Sequence, residues 1–209
     1  SIEYKTKIKI SRLGKNNHRQ AIFKKEKSGF TFCSCSNMVA IKRIHLIIDI
    51  LKELQLDDIR WIHFGGGKLQ QDIKQYAQKQ IPHIDFEFKG YVSNNKLLDF
   101  YASNYVDLFI NVSESEGIPV SIMEAISAGI PILATNVGGT SEIVHKKFGL
   151  LIDKDFDVTL VAKKIESFLL SESHKIEIVR MNAYNFWQQN YNADTNYSNF
   201  AKDIIVLSK

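Results

Sequence analysis

The sequence predicts an α/β domain: a Rossmann-like, doubly wound, mostly parallel sheet flanked by helices and followed by a C-terminal helical tail. Three observations carry that expectation. Short apolar runs of strand length alternate with amphipathic helical stretches five or six times, the pattern of parallel sheets with helical crossovers. Glycine corners follow several of the strands, at Gly65-Gly66-Gly67, Gly90, Gly117 and Gly138-Gly139. The polar residues that suggest chemistry also fall at those corners, where open α/β sheets bind ligands beyond the carboxyl ends of their strands. At 209 residues the chain can hold one domain with a substantial core, and 1–209 is read as a single unit.

The elements follow in order. Residues 1–28, through Arg12-Leu13-Gly14 and the polar Lys15 to Arg19, show little periodicity beyond Ile8 and Ile10 and read as a leading segment. Phe30 to Ser34 is the first core strand, and Ser36 to Arg43 a loop entering a helix on which Ile44, Ile47, Ile48, Leu51 and Leu54 keep the 3.6 period. Ile59 to Phe64 is the second strand; Gly65-Gly66-Gly67 and a helix with Leu69, Ile73, Tyr76 and Ala77 on one side come next. Three glycines there let a backbone approach a ligand closely, or make a plain tight turn, and both readings stand. The strand Phe86 to Gly90, a helix with Leu97, Leu98, Phe100 and Tyr101, and the strand run Leu108-Phe109-Ile110 with Val112 lead to a polar corner, Ser113 to Gly117. A helix begins near Pro119. After it come the strand Ile130 to Thr135, the turn Asn136 to Gly139, a short helix holding Glu142, the strand Leu150 to Ile152 and two helices from Asp157 onward. The tail, 190–209, carries Tyr197, Phe200, Ile204 and Leu207.

Composition narrows the function classes. The chain is 44% hydrophobic and 24% charged, an ordinary globular balance, with no apolar run of membrane-span length. Cys33 and Cys35 lie two apart on a strand and share a face rather than bridge, so a reduced, cytoplasmic setting is expected. No Cys or His cluster completes a metal site. Residues 1–27 hold nine Lys or Arg against two Glu, a net of +7, which leaves the remainder at −3. Plain solvation is the default for such a segment; an acidic partner domain or peripheral attachment at the inner face of a membrane would also use it. No nucleic-acid partner is expected.

The corner after Val112 is the most informative stretch. Pro119 suits a first helical turn, where its missing N–H would have had no partner, and the N–H groups of Val120 and Ser121 stay free to meet an anion such as a nucleotide phosphate. Glu124 sits on a helix otherwise made almost entirely of small or apolar residues, so its carboxylate needs hydrogen-bond donors. Sugar hydroxyls would supply them; so would a buried Arg or backbone N–H groups.

Glu116-Gly117-Ile118-Pro119-Val120-Ser121-Ile122-Met123-Glu124 resembles the E-x7-E signature of the retaining glycosyltransferases of family 4, which have the two-domain GT-B fold. The flanking sequence carries the resemblance: Val112-Ser113 before the first Glu, the EGxP run, Glu124 to Gly129, the Pro131 to Thr135 strand and the Gly138-Gly139 turn. It implies that the chain is the C-terminal, nucleotide-sugar-binding half of such an enzyme, with 1–28 arriving as a hinge from an N-terminal acceptor-binding domain and 190–209 crossing back to it. The implied reaction moves a sugar from a UDP- or GDP-type donor to an acceptor with retention, in cell-surface polysaccharide or glycolipid synthesis, with no metal or other cofactor. Glu124 would then hold the ribose hydroxyls, Glu116 the donor sugar, and Gly117, Ile118, Val120 and Ser121 would offer backbone N–H groups. Lys42 would neutralise the departing diphosphate. Gly66 and Gly67 would approach the donor, and Val92, in the Gly90-Tyr91-Val92 turn, would face the nucleobase. Asn37 stands where the family usually has a diphosphate-binding Arg, and Arg43 is the nearby cation that could replace it. That departure leaves room for an alternative, a non-catalytic nucleotide-binding or scaffolding module.

Two other classes are disfavoured. A nicotinamide-type fingerprint needs an acidic residue ending the strand after the glycines, and that strand ends in Lys89-Gly90. A sugar-nucleotide epimerase needs a Tyr-x-x-x-Lys dyad, and Tyr4, Tyr76, Tyr91 and Tyr197 all lack the Lys.

Overall fold

The computed structural model describes residues 11–26 and 28–207; Ile8 and Ile10 lie outside them. Six parallel strands form one sheet: β1 (Phe30–Cys35), β2 (Ile59–Phe64), β3 (Asp85–Phe88), β4 (Leu108–Asn111), β5 (Ile132–Thr135) and β6 (Gly149–Ile152). Their order across the sheet is β3-β2-β1-β4-β5-β6. The chain thus winds outward from β1 in one direction and, after β3, restarts at β4 in the other. β1 and β4 are the neighbours at which the winding reverses, and they leave a crevice at their carboxyl ends.

Helices α1 (Ile44–Glu53), α2 (Gln70–Gln80) and α6 (Val158–Leu169) cover one face of the sheet; α3 (Asn94–Ser103), α4 (Val120–Ser127), the short α5 (Thr140–Ile143) and α7 (Ser173–Asn190) cover the other. The apolar stripe of α1 is buried as its period requires, with Ile44, Ile47, Ile48 and Leu51 in the core beside Phe32, Trp61 and Val161. Helix α4 is buried nearly all round, which explains its composition, and Gly129 ends it at φ +70°, a left-handed geometry that favours glycine. Ser93 and Asp157 cap α3 and α6 through their side chains. Cys33 is buried and Cys35 half-buried, and both thiols are free.

Helix α8 (Ala193–Leu207) ends the described chain, with Tyr197, Phe200, Ile204 and Ile205 exposed. The leading segment is stitched to the end of α7 and the start of α8. Lys15 N–H donates to Tyr191 O, the Trp187 indole donates to Lys15 O, and the Asn196 amide reaches Arg12 O and Leu13 O. Further on, the buried Arg180 of α7 donates to Ile22 O and to Val106 O, with its guanidinium over the Tyr105 ring. Residues 11–26 therefore pack as part of the domain.

Candidate functional site

Two loops face each other across the crevice. One, residues 36–43, joins β1 to α1 and contains a single 3-10 turn, Ala40–Lys42. The other, residues 112–119, joins β4 to α4, and Glu114 N–H donates to Ile41 O to tie the two together. A buried polar relay fixes the first loop from beneath. The Trp61 indole donates to Ser34 Oγ at 3.0 Å, Ser34 Oγ lies 2.8 Å from His63 Nδ1, and His63 Nε2 lies 3.0 Å from Ser36 O. The self-consistent assignment has Ser34 donating to Nδ1 and Nε2–H donating to Ser36 O. Burial pulls the His63 pKa down to about 4, against the Ser36 hydrogen bond, and keeps the ring neutral.

Lys42 and Glu116, one on each loop, form an ion pair at 2.6 Å. The same oxygen of Glu116, Oε1, accepts from Ser113 Oγ at 2.6 Å and from the Asn111 amide at 3.0 Å. Burial pushes the Glu116 pKa up, but the bonds from Lys42, Ser113 and Asn111 outweigh it and hold the group below the ordinary carboxylate value. Asn111 escaped the sequence reading, and Ser113 entered it only as part of the motif, with no role; the Asn-x-Ser-x-x-Glu spacing at a strand end was the signal available for both.

Pro119 caps α4 rather than opening its first turn, with φ −72° and ψ 109°. Among the described hydrogen bonds none uses the N–H of Gly117, Ile118, Val120 or Ser121, so a row of backbone donors is left where the helix begins. The turn after β5 backs this row. Gly138, at φ +51°, passes so close that a Cβ there would meet Glu116 O at 1.8 Å, and Gly139 N–H donates to Gly117 O. Glycine is required at position 138 by both conformation and space.

Glu124 lies one turn into α4 and is 7% exposed. Its donors are neither a buried Arg nor backbone groups. Oε1 accepts from the Asn94 amide at 2.6 Å and pairs with Lys15 Nζ at 3.2 Å. Burial raises its pKa, with Lys15 and Asn94 offsetting the rise in part. The sequence offered no means of joining Lys15 to a residue so far along the chain.

The other candidates take varied positions. Gly65 and Gly67 have left-handed φ values of +121° and +151°, and their missing side chains make room for the backbone of Ser36 and Met38. Of the glycine run, Gly65 and Gly67 thus serve the packing of a neighbouring loop. Gly66 lies against the Tyr91 ring, and its carbonyl accepts from Tyr91 Oη. Val92 is half-buried against the second core, and Asn37 is exposed. Arg43, at φ +48°, donates to Val112 O and Lys154 O, which commits much of its guanidinium to holding backbone. No group of three His, Cys, Asp or Glu among the described residues could hold a metal ion, and no described helix is long and apolar enough to cross a membrane.

Comparison with known proteins gives the chain relatives in sequence and in fold. The family model for glycosyl transferases group 1 matches residues 15–186. Protein CapJ of Staphylococcus aureus is 31% identical over 147 residues, 70% of this chain and 35% of its own length. The O-antigen biosynthesis glycosyltransferase WbnH of Escherichia coli is 38% identical over 93 residues, 44% of this chain and 25% of its own. The matched region therefore spans only about a third or a quarter of these relatives. In fold, the chain is similar to Anabaena HepE, solved in complex with UDP and glucose, at a TM-score of 0.70 and 22% identity over 85% of this chain and 48% of that one.

Proposed function

The chain belongs to the glycosyl transferases of group 1, and on that premise we propose that it is the donor-binding half of an enzyme that moves a sugar from a nucleotide diphosphate to a cell-surface glycan with retention. The observation that carries this reading is the meeting of Lys42 and Glu116 across the crevice, beside the open amides of Gly117 to Ser121. A diphosphate laid on those amides would put its developing negative charge next to Lys42. Stabilising charge in a fixed, partly dry site is commonly the largest catalytic contribution. Glu116, kept ionised by its three donors, is suited to accept from sugar hydroxyls. Glu124, with hydrogen bonds described only at Oε1, is suited to hold the ribose.

Glu116 is held by Lys42, Ser113 and Asn111, and Glu124 by Asn94 and Lys15, two separate sets of donors. Binding roles for both fit this, with the acceptor held by a preceding domain. The donor is a UDP- or GDP-type sugar, and thermal melts against UDP, GDP and ADP test this directly. A ligand at a hundred times its dissociation constant adds about 2.7 kcal/mol, so one nucleotide should raise the melting temperature by several degrees. No shift with any of the three would overturn the donor-site reading.

A second reading is favoured by Asn37: a module that binds nucleotide without turning it over. With Asn37 exposed where a diphosphate-binding Arg is expected and Arg43 engaged with carbonyls, Lys42, itself paired with Glu116, is the candidate that remains for leaving-group charge. Assay of donor hydrolysis by the full-length protein separates the two readings.

A further inference from the structure

A large cavity lies away from this crevice, at the amino ends of β4, β5 and β6, between the sheet and residues of α6 and α7. It is a groove of about 800 Å³, within the range of roughly 300–1,000 Å³ typical of small-molecule sites. Its floor is hydrocarbon, including Leu133, Ile165, Phe168 and Val179. Its rim carries five lysines, Lys146, Lys147, Lys163, Lys164 and Lys175. Lys175 pairs with Glu172, whereas the other four have no ion pair among the described residues. The remaining polar side chains of the lining are Ser167 and Ser171; it has no carboxylate and no amide.

We propose that this groove takes an anionic lipid of a membrane surface, with one acyl chain along the floor and the headgroup phosphate against the lysines. Charge and chemistry choose the occupant. Four unpaired cations around an apolar trough call for an anion attached to hydrocarbon, whereas a free phosphate would leave the floor wet. A peptide would bring amides that need hydrogen-bond partners, and the lining offers few. Leu160 of α6, in the lining and 58% exposed, extends the apolar surface outward. Bound here, a lipid would leave the crevice at the opposite ends of the strands open to solvent.

Flotation of the full chain with vesicles of phosphatidylcholine alone, or mixed with phosphatidylglycerol, tests the proposal. Binding is expected only to the mixture and should weaken as salt is added. Lys163→Glu with Lys164→Glu should weaken it roughly tenfold or more. Ser167→Trp, which fills the groove from an exposed position, should weaken it while leaving the lysines in place. Melting temperatures of the variants report that each is folded. The basic leading segment supplies a control, a chain with Lys5, Lys7 and Lys9 changed to Gln. If that chain alone loses binding, or if the wild type ignores both vesicles, the proposal fails. It fails equally if light scattering shows the groove buried in a dimer that Ser167→Trp dissociates, or if an acidic, leucine-rich peptide binds where vesicles do not.

Discussion

Lys42 Nζ lies 2.6 Å from Glu116 Oε1, so a cation and a carboxylate brought from opposite sides of the sheet's switch point hold one another in place. Each is less than a quarter exposed, so the pair is poorly screened. Changing Lys42 to Ala should remove a charge-assisted bond of about 1.5–3 kcal/mol and with it at least tenfold of donor turnover. A double-mutant cycle with Glu116→Gln checks the coupling. If the two effects add in donor hydrolysis, the residues do not act as a unit.

Glu124→Gln separates function from packing. Burial already disfavours the charged carboxylate, so the neutral amide should leave the melting temperature level or higher. Nucleotide affinity, by contrast, should fall at least tenfold, because a charged acceptor for hydroxyls has been lost. Calorimetric titration with the best nucleotide measures the second quantity. A variant that loses stability and keeps its affinity would make Glu124 a structural anchor for Lys15 and Asn94.

His63 should make stability depend on pH. Its folded pKa, about 4, is below the ordinary value of 6.5, so the unfolded chain binds the proton first. The stabilisation is complete above pH 6.5 and disappears as pH falls toward 4, a total of about 3 kcal/mol. Urea unfolding of wild type and His63→Gln, compared at pH 7 and pH 4, should show the gap between them narrowing by about that amount. A constant gap would mean that the ring is not held neutral in the folded state.

Arg180 is 1% exposed and donates to two carbonyls, Ile22 O and Val106 O. Arg180→Met keeps the bulk but strands both acceptors at a cost of about 1–3 kcal/mol each. Guanidinium unfolding should register a loss in the range of about 2–5 kcal/mol. Arg180→Lys, without the planar fork, should recover only part of it. Full recovery by Lys would show that charge rather than geometry is what the site needs.

The alternation of apolar runs was enough to expect each strand and helix, because both faces of a parallel sheet are covered and every element must declare its buried side. The corner at Glu116 was legible for a related reason: proline, glycine and small residues leave a local mark. What escaped were long-range polar contacts. Nothing near Glu124 in sequence points to Lys15, and nothing about His63 distinguishes it from an ordinary strand residue until Ser34 and Trp61 are brought beside it. Arg180 carried no local mark of its burial either. The glycine run left two readings open, close approach to a ligand or a plain tight turn, and neither pointed to the backbone of Ser36 and Met38, for which its glycines make room. Such partners are set by topology, which pattern does not encode.

The leading segment gives Lys15 two attachments: its main chain is clamped by Tyr191 and Trp187, and its ammonium rests on Glu124. A shift of the polypeptide at this point would therefore also move the ammonium that faces Glu124. If that carboxylate holds the ribose as proposed, the leading segment sets the charge it meets there.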